Sequence, residues 1–255
     1  MASEAVLSST SQQLVDPEIG SALVEAAGSA SVGELLLNAA QNRGTVEEVF
    51  AYRVANGGQP QVVASSSELA DVAARVSLYT RRFHPFDPAV EARSGISSGS
   101  GFAEKVSATQ IVRRDYRAAC FERPRFADKL CFGWRLPDQW LMLSFYRRRA
   151  DGAAQTRQLA ALANVALTAF AYQATRRRVD ALPLAERIEL RIARAYPQLT
   201  RREREVCARS LAGSTAEQIA GELCVSRATV LTYRQRAYQR LEISQSVTLL
   251  DKLLD

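Results

Sequence analysis

The 255-residue chain is 47% hydrophobic and 24% charged, proportions of a folded globular protein that exclude collagen, long disorder and a disulfide-stapled miniprotein. Its length suits one large domain or a medium domain followed by a small one. No stretch approaches the roughly 20 apolar residues that span a bilayer, and the N-terminus lacks the basic start and apolar run of a signal peptide. We therefore expect a cytoplasmic protein without a membrane partner. The net charge of +6 suits a polyanionic partner but is too modest to identify one.

The cysteines and the single histidine exclude several kinds of site. Cys120, Cys131, Cys207 and Cys224 show no CxxC spacing, so we interpret them as reduced, buried small hydrophobes. His84 is the only histidine, which rules out a multi-histidine metal site and leaves any histidine-dependent hydrolase reliant on one residue. We interpret it as a loop or helix-end residue. The sequence therefore predicts no metal, no cofactor and no enzyme activity.

The first 100 residues alternate between helical and extended patterns. Apolar residues recur at helical spacing in three segments, and runs of β-branched and aromatic residues flank the turn sequence NGGQP, as in a hairpin. The predicted elements are helices at 17–27, 31–41 and 67–82, a hairpin of 46–54 with 61–65, and a mobile loop at 94–101.

The strongest strand signal lies at 129–149, where two extended runs flank a turn at Pro137-Asp138. Alternation divides the second run into two faces, Trp140, Met142, Ser144 and Tyr146 against Leu141, Leu143 and Phe145. Both faces carry apolar side chains, so we expect both to be at least partly covered by other elements of the fold. A long Ala/Leu-rich helix is predicted at 154–175, ending at the basic run 176–178, which we interpret as a solvated helix end favoured by the dipole rather than as a DNA contact. Another helix is predicted at 183–195.

This order of elements predicts an α+β sensor-like domain with a central antiparallel sheet, followed by a small all-α domain. We place a sensor and dimerisation domain at residues 1–175, a helical linker at 176–198 and the small domain at 199–255.

The small domain contains three consecutive helix signals. Thr200 with Glu203 forms a capping box, Gly213 fits a helix stop, and Ser214 with Glu217 forms a second capping box. Agreement of local signals over so short a segment favours three short helices over an irregular region.

The second and third of these helices meet at a tight corner. Ile219, Ala220 and Leu223 give the second helix an inward face, and Val225 can fill the corner before Ser226 caps the third. The apolar face of the third helix consists of Val230, Tyr233, Ala237 and Leu241. A short helix, a tight corner and a longer helix match the helix-turn-helix, which sets its second helix in the major groove of DNA.

At these residues the segment resembles the LuxR-type family of bacterial regulators, and the resemblance covers roughly the last 57 residues of the chain. The matching positions are Leu-Thr-x-Arg-Glu-Arg-Glu-Val at 199–206, Gly213, Ile219-Ala220, Leu223, Ser226, Thr229-Val230 and Arg240-Leu241. Three positions depart from the pattern: Tyr233 stands where His is frequent, Cys224 where Gly is frequent, and Glu242 where Gly often ends the recognition helix.

The resemblance implies which side chains meet double-stranded DNA. Leu231, Thr232 and Gln235 stand at positions that commonly approach base edges, and Arg227, Thr229, Arg234 and Arg236 at positions near phosphates. Their chemistry is compatible, because Gln can make a two-point hydrogen-bond pattern with adenine and Leu can contact a thymine methyl. Family members also pair through a final helix, here 246–254, so we expect a homodimer; the same helix could instead be the lid of the small core. RNA polymerase is a further candidate partner.

The N-terminal domain lacks both the βα alternation of a phosphate receiver and a GxxxxGK[ST] motif. Its element order resembles a GAF/PAS-like sensor or the autoinducer-binding domain of quorum-sensing LuxR regulators. Tyr79, Phe83 and the Asp87-Pro88-x-Val90 segment carry the second resemblance, in which the Asp binds the ligand amide. The usual upstream Trp and Tyr are replaced by Ala74 and Leu78, which argues against a typical acyl-homoserine lactone site.

Two interpretations of the aromatic residues stay open: an apolar pocket for a small-molecule effector, or plain core. The candidate lining residues are Phe50, Tyr52, Tyr79, Phe83, Asp87, Trp134 and Trp140. A ligand-independent regulator or anti-activator that works mainly through protein–protein contacts is the alternative function.

Overall fold

The structure is a computed structural model that describes residues 14–150, 152–243, 249 and 253. The chain divides into two compact units, with the boundary between Ala174 and Thr175. Within the described part of the chain, no helix combines the length and the apolar character needed to cross a membrane.

The first unit is built on a five-stranded antiparallel sheet, which confirms the predicted α+β class. The strand order is β2-β1-β5-β4-β3, and every neighbouring pair is antiparallel. The strands are β1 Glu48–Ala55, β2 Gln61–Ser67, β3 Gly101–Ser107, β4 Asp128–Arg135 and β5 Gln139–Arg147.

Helices cover both faces of this sheet. The α-helices of the first unit are α1 Pro17–Ala26, α2 Val32–Gln41, α3 Val72–Leu78, α4 Pro88–Glu91 and α5 Arg114–Arg117, together with most of α6 Ala153–Asp180, whose last residues belong to the second unit. Leu23 of α1, Leu36 of α2 and Leu162 of α6 are buried against one face together with Leu143 of β5. The opposite face is covered by the chain from α3 to α5, whose buried side chains include Tyr79, Phe83 and Tyr116.

The alternation predicted for β5 is confirmed. Trp140, Met142 and Tyr146 lie in the aromatic core on one face, and Leu141, Leu143 and Phe145 lie in the aliphatic core on the other. The central strands are thus apolar on both sides, because each face packs against helices.

Two predicted helix boundaries are wrong: the start of the helix predicted at 67–82 and the end of the helix predicted at 154–175. Ser67 ends β2, paired with Glu48, and α3 begins only at Val72 and continues into a π-helical turn at Tyr79–Phe83. Cross-strand pairing overrides the helical spacing of this segment. The long helix does not end at the basic run but continues to Asp180, since arginines favour helix and the first helix breaker is the proline at 183.

Strand β3 is not predicted by the sequence pattern, which suggests only a loop up to residue 101. It pairs along its length with β4, from Gly101 opposite Trp134 to Ser107 opposite Asp128. Gly, Glu and Lys are poor strand formers, so pairing with β4 rather than local preference stabilises this edge strand.

The second unit contains four fully described helices, α7 Leu184–Ala195, α8 Arg201–Leu211, α9 Ala216–Leu223 and α10 Arg227–Leu241. Ile192 of α7 is buried with Leu199 and Cys207, so residues of the expected linker pack into the small core. The predicted final helix at 246–254 lies outside the described residues except for Leu249 and Leu253, of which Leu249 is buried in the same core.

Candidate nucleic-acid interface and sensor interior

The first capping box of the small domain is confirmed, and the second is displaced by one residue. Thr200 N–H donates to Glu203 Oε2 at 2.8 Å, and Glu203 N–H donates to Thr200 Oγ1 at 3.4 Å. The second box uses Thr215 and Gln218, not Ser214 and Glu217. The reason is that Ser214 N–H still closes the end of α8 by donating to the Arg209 carbonyl at 3.0 Å.

The corner between α9 and α10 has the geometry that the sequence indicates. Val225 N–H donates to the Ala220 carbonyl at 3.0 Å, and the Val225 side chain packs with Val206, Ile219 and Val230. Ser226 Oγ accepts from Thr229 N–H at 3.1 Å and so caps α10.

Two residues at this corner and at the exit of α10 adopt left-handed backbone conformations without being glycine. Cys224 has φ 52° and Glu242 has φ 53°, at the two positions where the family often carries Gly. Each costs on the order of 1 kcal/mol relative to glycine. Three cysteines are buried as predicted, but Cys224 is exposed, at the corner between α9 and α10.

The recognition helix α10 buries one face and exposes the other. Val230, Ala237 and Leu241 are buried, and Tyr233 is half-buried. This confirms the predicted inward face. The opposite face is therefore available to a partner.

The seven residues expected to contact DNA differ in exposure and in their contacts. Arg227, Thr232, Gln235 and Arg236 are exposed, and Thr229, Leu231 and Arg234 are half-buried. Arg227 pairs with Glu217 at 2.6 Å, and Thr229 Oγ1 contacts Ser226 Oγ at 2.8 Å. Within the described part of the chain, Gln235 and Arg236 make no side-chain hydrogen bond or ion pair, so both are free to bind an external group.

Arg240 has a structural contact that the motif alone does not reveal. Its Nη1 donates to the Gln198 carbonyl at 3.2 Å and to Glu203 Oε2 at 2.9 Å. Because the Glu203 side chain is only 2% exposed, this charge-assisted bond ties the end of α10 to the start of α8.

In the first unit, Asp87 is buried and fully engaged. Its Oδ2 accepts from the hydroxyls of Tyr79 at 2.6 Å and Tyr116 at 3.2 Å and from Lys129 Nζ. Its Oδ1 accepts from Ala89 N–H at 3.0 Å. The carboxylate that the resemblance assigns to a ligand amide is therefore satisfied by the protein itself.

The Asp87–Lys129 pair is ionised. Burial raises the pKa of Asp87, but the Lys129 charge and the hydrogen bonds outweigh burial and hold that pKa below its ordinary value. Burial lowers the pKa of Lys129, but the Asp87 carboxylate outweighs it and holds the pKa well above its ordinary value. Both shifts favour the charged forms.

Most of the candidate pocket residues lie together. Phe50, Tyr52, Tyr79, Phe83 and Trp140 belong to one buried cluster with Asp87 among them. Trp134 is apart from them: it is 39% exposed and two residues beyond Phe132, whose side chain lies in the core of the opposite face. Side chains two apart on a strand share a face.

Little free space remains inside this cluster. A cavity of about 10 Å³, bounded in part by Phe50, Tyr79 and Tyr146, is room for about one water. Tyr116, Lys129 and Tyr146 fill the interior, and sequence reasoning missed all three as site residues; a lysine at an inward strand position was the available signal. Ala74 and Leu78 line a different, open cavity of about 370 Å³.

Helices α8 to α10, their tight corner and the exposed face of α10 define a helix-turn-helix DNA-binding protein. Residues 197–253 match the family described as bacterial regulatory proteins, luxR family. The chain thus carries a LuxR-family DNA-binding domain, which supports a role as a transcription regulator.

Three solved structures are similar to larger parts of the chain. The VqsR LBD domain from Pseudomonas aeruginosa is 18% identical, covers 60% of this chain and 91% of its own, with a TM-score of 0.44. Escherichia coli SdiA is 16% identical over 86% of this chain and 89% of its own, with a TM-score of 0.41. GAF3 from Slr1393 of Synechocystis sp. PCC6803 is 14% identical, covers 58% of this chain and 96% of its own, and has a TM-score of 0.41. No curated protein matches the chain.

Proposed function

We propose that the chain is a sequence-specific DNA-binding transcription regulator that acts as a homodimer and responds to a small molecule bound in its N-terminal domain. In this proposal residues 1–175 sense and dimerise, 176–198 connect, and 199–255 bind DNA. The observation that carries the proposal is the two-sided recognition helix, buried through Val230 and Ala237 and exposed at Gln235 and Arg236.

The proposed division of contacts follows from side-chain chemistry. Leu231, Thr232 and Gln235 read base edges, whereas Arg227, Thr229, Arg234 and Arg236 hold phosphates. Arginines near phosphates set the register of the helix without reading sequence, and the amide of Gln235 can recognise adenine. Arg227 would exchange its exposed partner Glu217 for a phosphate, at small cost because an exposed ion pair contributes little.

A homodimer would place two such helices in successive major grooves. Their target would then be a two-fold-related site with half-sites about one helical turn apart. RNA polymerase remains the proposed further partner of the bound dimer.

A second candidate function is a ligand-independent regulator or anti-activator that acts mainly through protein contacts. The saturated hydrogen bonding of Asp87 and the small cavity beside Tyr79 favour it, because donors of the protein already occupy that carboxylate and little space is left beside it.

The deciding experiment is a selection of genomic fragments by the purified full-length chain at about 0.15 M salt, where nonspecific phosphate attraction is partly screened. We expect a short two-fold-related motif, bound by two chains per duplex in sedimentation. Uniform binding that disappears with salt would contradict sequence-specific recognition. If the motif is recovered, a reporter gene placed under its control is measured with and without candidate effectors. Expression that changes with an effector supports the effector-dependent regulator, and expression that does not change supports the ligand-independent one.

A further inference from the structure

A cavity larger than the two described above opens on the aromatic side of the sheet, next to the turn between β1 and β2. Its volume is about 470 Å³, which lies within the range of small-molecule sites. Its lining residues include Val54, Asn56, His84, Val90, Arg93 and Trp140. None of the described residues that line this cavity is acidic.

Arg93 is the charged group of this cavity. Its Nη2 lies 3.4 Å from His84 Nε2, and its guanidinium lies over the Trp140 ring, 5.9 Å from the centroid. Its Nη1 is buried and has no hydrogen-bond partner within the described part of the chain. A buried donor of a charged group without a partner is costly, so it requires an explanation.

A second cation reinforces the positive charge. Arg135 lies over the same Trp140 ring at 5.4 Å and donates to Asn56 Oδ1 at 2.8 Å. Neither Arg135 nor Arg93 forms an ion pair with an acidic side chain of the described residues. Within the described part of the chain, the two guanidinium groups therefore have no carboxylate at ion-pair distance.

His84 orients Arg93 without adding charge. Burial, and then the charge of Arg93, lower the pKa of His84 to about 4, so its imidazole is neutral near pH 7. A neutral ring nitrogen can accept from Arg93 Nη2 and hold the guanidinium in place. Val54 and Val90 add apolar walls to the cavity.

We propose that this cavity binds a small apolar carboxylate, of the size of benzoate or phenylacetate, whose carboxylate pairs with the Arg93 guanidinium and whose body contacts Val54, Val90 and Trp140. The proposal rests on the proposed modulation by a small molecule and names the class of effector. It also moves the effector away from Asp87, which the protein satisfies internally.

The test uses Trp140 as reporter. The chain has two tryptophans, so the full-length Trp134→Phe variant leaves Trp140 as its only one. Titration with sodium benzoate or phenylacetate, at constant ionic strength, should change the Trp140 emission saturably, whereas benzamide should not. In this background Arg93→Gln should weaken binding about tenfold, the loss of one charge-assisted hydrogen bond. Arg53→Gln is the matched control, because Arg53 pairs with Gln61 outside the cavity and should leave affinity unchanged.

The proposal is overturned if no carboxylate gives a saturable change, if benzamide binds equally well, or if Arg93→Gln binds like its parent. The comparison of carboxylate with amide needs no cavity variant, so it decides even if Arg93→Gln fails to fold. DNA binding is measured separately by anisotropy on the selected duplex. Binding of carboxylate without any change in DNA affinity would support the cavity site and refute effector control, and DNA binding without carboxylate binding would refute the cavity site alone.

Discussion

Lys129 of β4 donates a hydrogen bond to Asp87, at the start of α4, with both side chains at most 1% exposed. The two residues are 42 positions apart in the chain, and the hydroxyls of Tyr79 and Tyr116 complete the cluster. This contact makes the acidic residue at the centre of the aromatic core a structural group, neutralised within the domain.

Removing one partner of this pair should be costly. Lys129→Met leaves an uncompensated buried carboxylate, and we expect the free energy of unfolding to fall by about 3–5 kcal/mol. Urea unfolding followed by tryptophan fluorescence reports on this unit, since Trp134 and Trp140 both lie in it. Lys105→Met is the control: Lys105 pairs with Asp128 but is 56% exposed, so the loss should be below about 1 kcal/mol. Equal losses in the two variants would contradict a buried ionised pair.

The stability of the first unit should fall in mild acid because of His84. Its pKa is about 4 in the folded chain and about 6.5 in the unfolded chain. Below pH 6.5 the unfolded chain binds a proton that the folded chain does not, so stability is full above pH 6.5 and declines towards pH 4. Besides Arg93, the charges that act on His84 are Asp87 and Lys129. Urea unfolding at pH 7 and pH 5 should show this decline in the parent and less of it in His84→Gln; identical slopes would refute it.

One of the four thiols should react rapidly in the native chain. Cys224 is exposed, whereas Cys120, Cys131 and Cys207 are buried. Burial raises the pKa to about 12, 11 and 12, respectively, which keeps these three as unreactive thiols. Labelling with an aromatic disulfide reagent should give one fast equivalent, lost in Cys224→Ser. A second fast equivalent would mean that the core around Cys207 or the aromatic cluster opens readily.

Glycine should stabilise both left-handed caps of the recognition helix. Cys224→Gly and Glu242→Gly each remove a Cβ from a backbone with φ near 52°, and we expect a gain of about 1 kcal/mol. Hydrogen exchange of α10 amides in the full-length chain measures this locally. Glu242→Ala keeps the Cβ and serves as the control. Slower exchange in the alanine variant as well would show that backbone strain is not the cause.

Two substitutions on α10 should affect DNA binding in different ways. Gln235→Ala should weaken the preferred duplex by about 1–3 kcal/mol and relax specificity at one base pair, and Arg234→Ala should weaken all duplexes and reduce the salt dependence. Arg194→Ala, an exposed arginine on α7, controls for the loss of one charge. Anisotropy titrations at several salt concentrations distinguish these effects. If both variants bound every duplex like the parent, the assignment of α10 as recognition helix would fail.

The small domain could be predicted almost entirely from the sequence, because its signals are local. A capping residue and its partner are three positions apart, as in Thr200 with Glu203. Residues on the same face of a helix recur every three or four positions, and Val230 and Ala237 are two such steps apart. The choice of Ser214 instead of Thr215 was wrong because the end of one helix uses the backbone donor of the residue that resembles a cap, and Cys224, predicted to be buried, is exposed.

The tertiary structure alone decided the interior of the first unit. Pairing with β1 made Ser67 part of a strand, strand alternation turned Trp134 away from the aromatic cluster, and folding brought Lys129 to Asp87. Arg93 meets Trp140 across 47 positions of chain only because the sheet and the segment that follows α4 are packed together. Such contacts depend on register and packing between distant segments, which no pattern of neighbouring residues encodes.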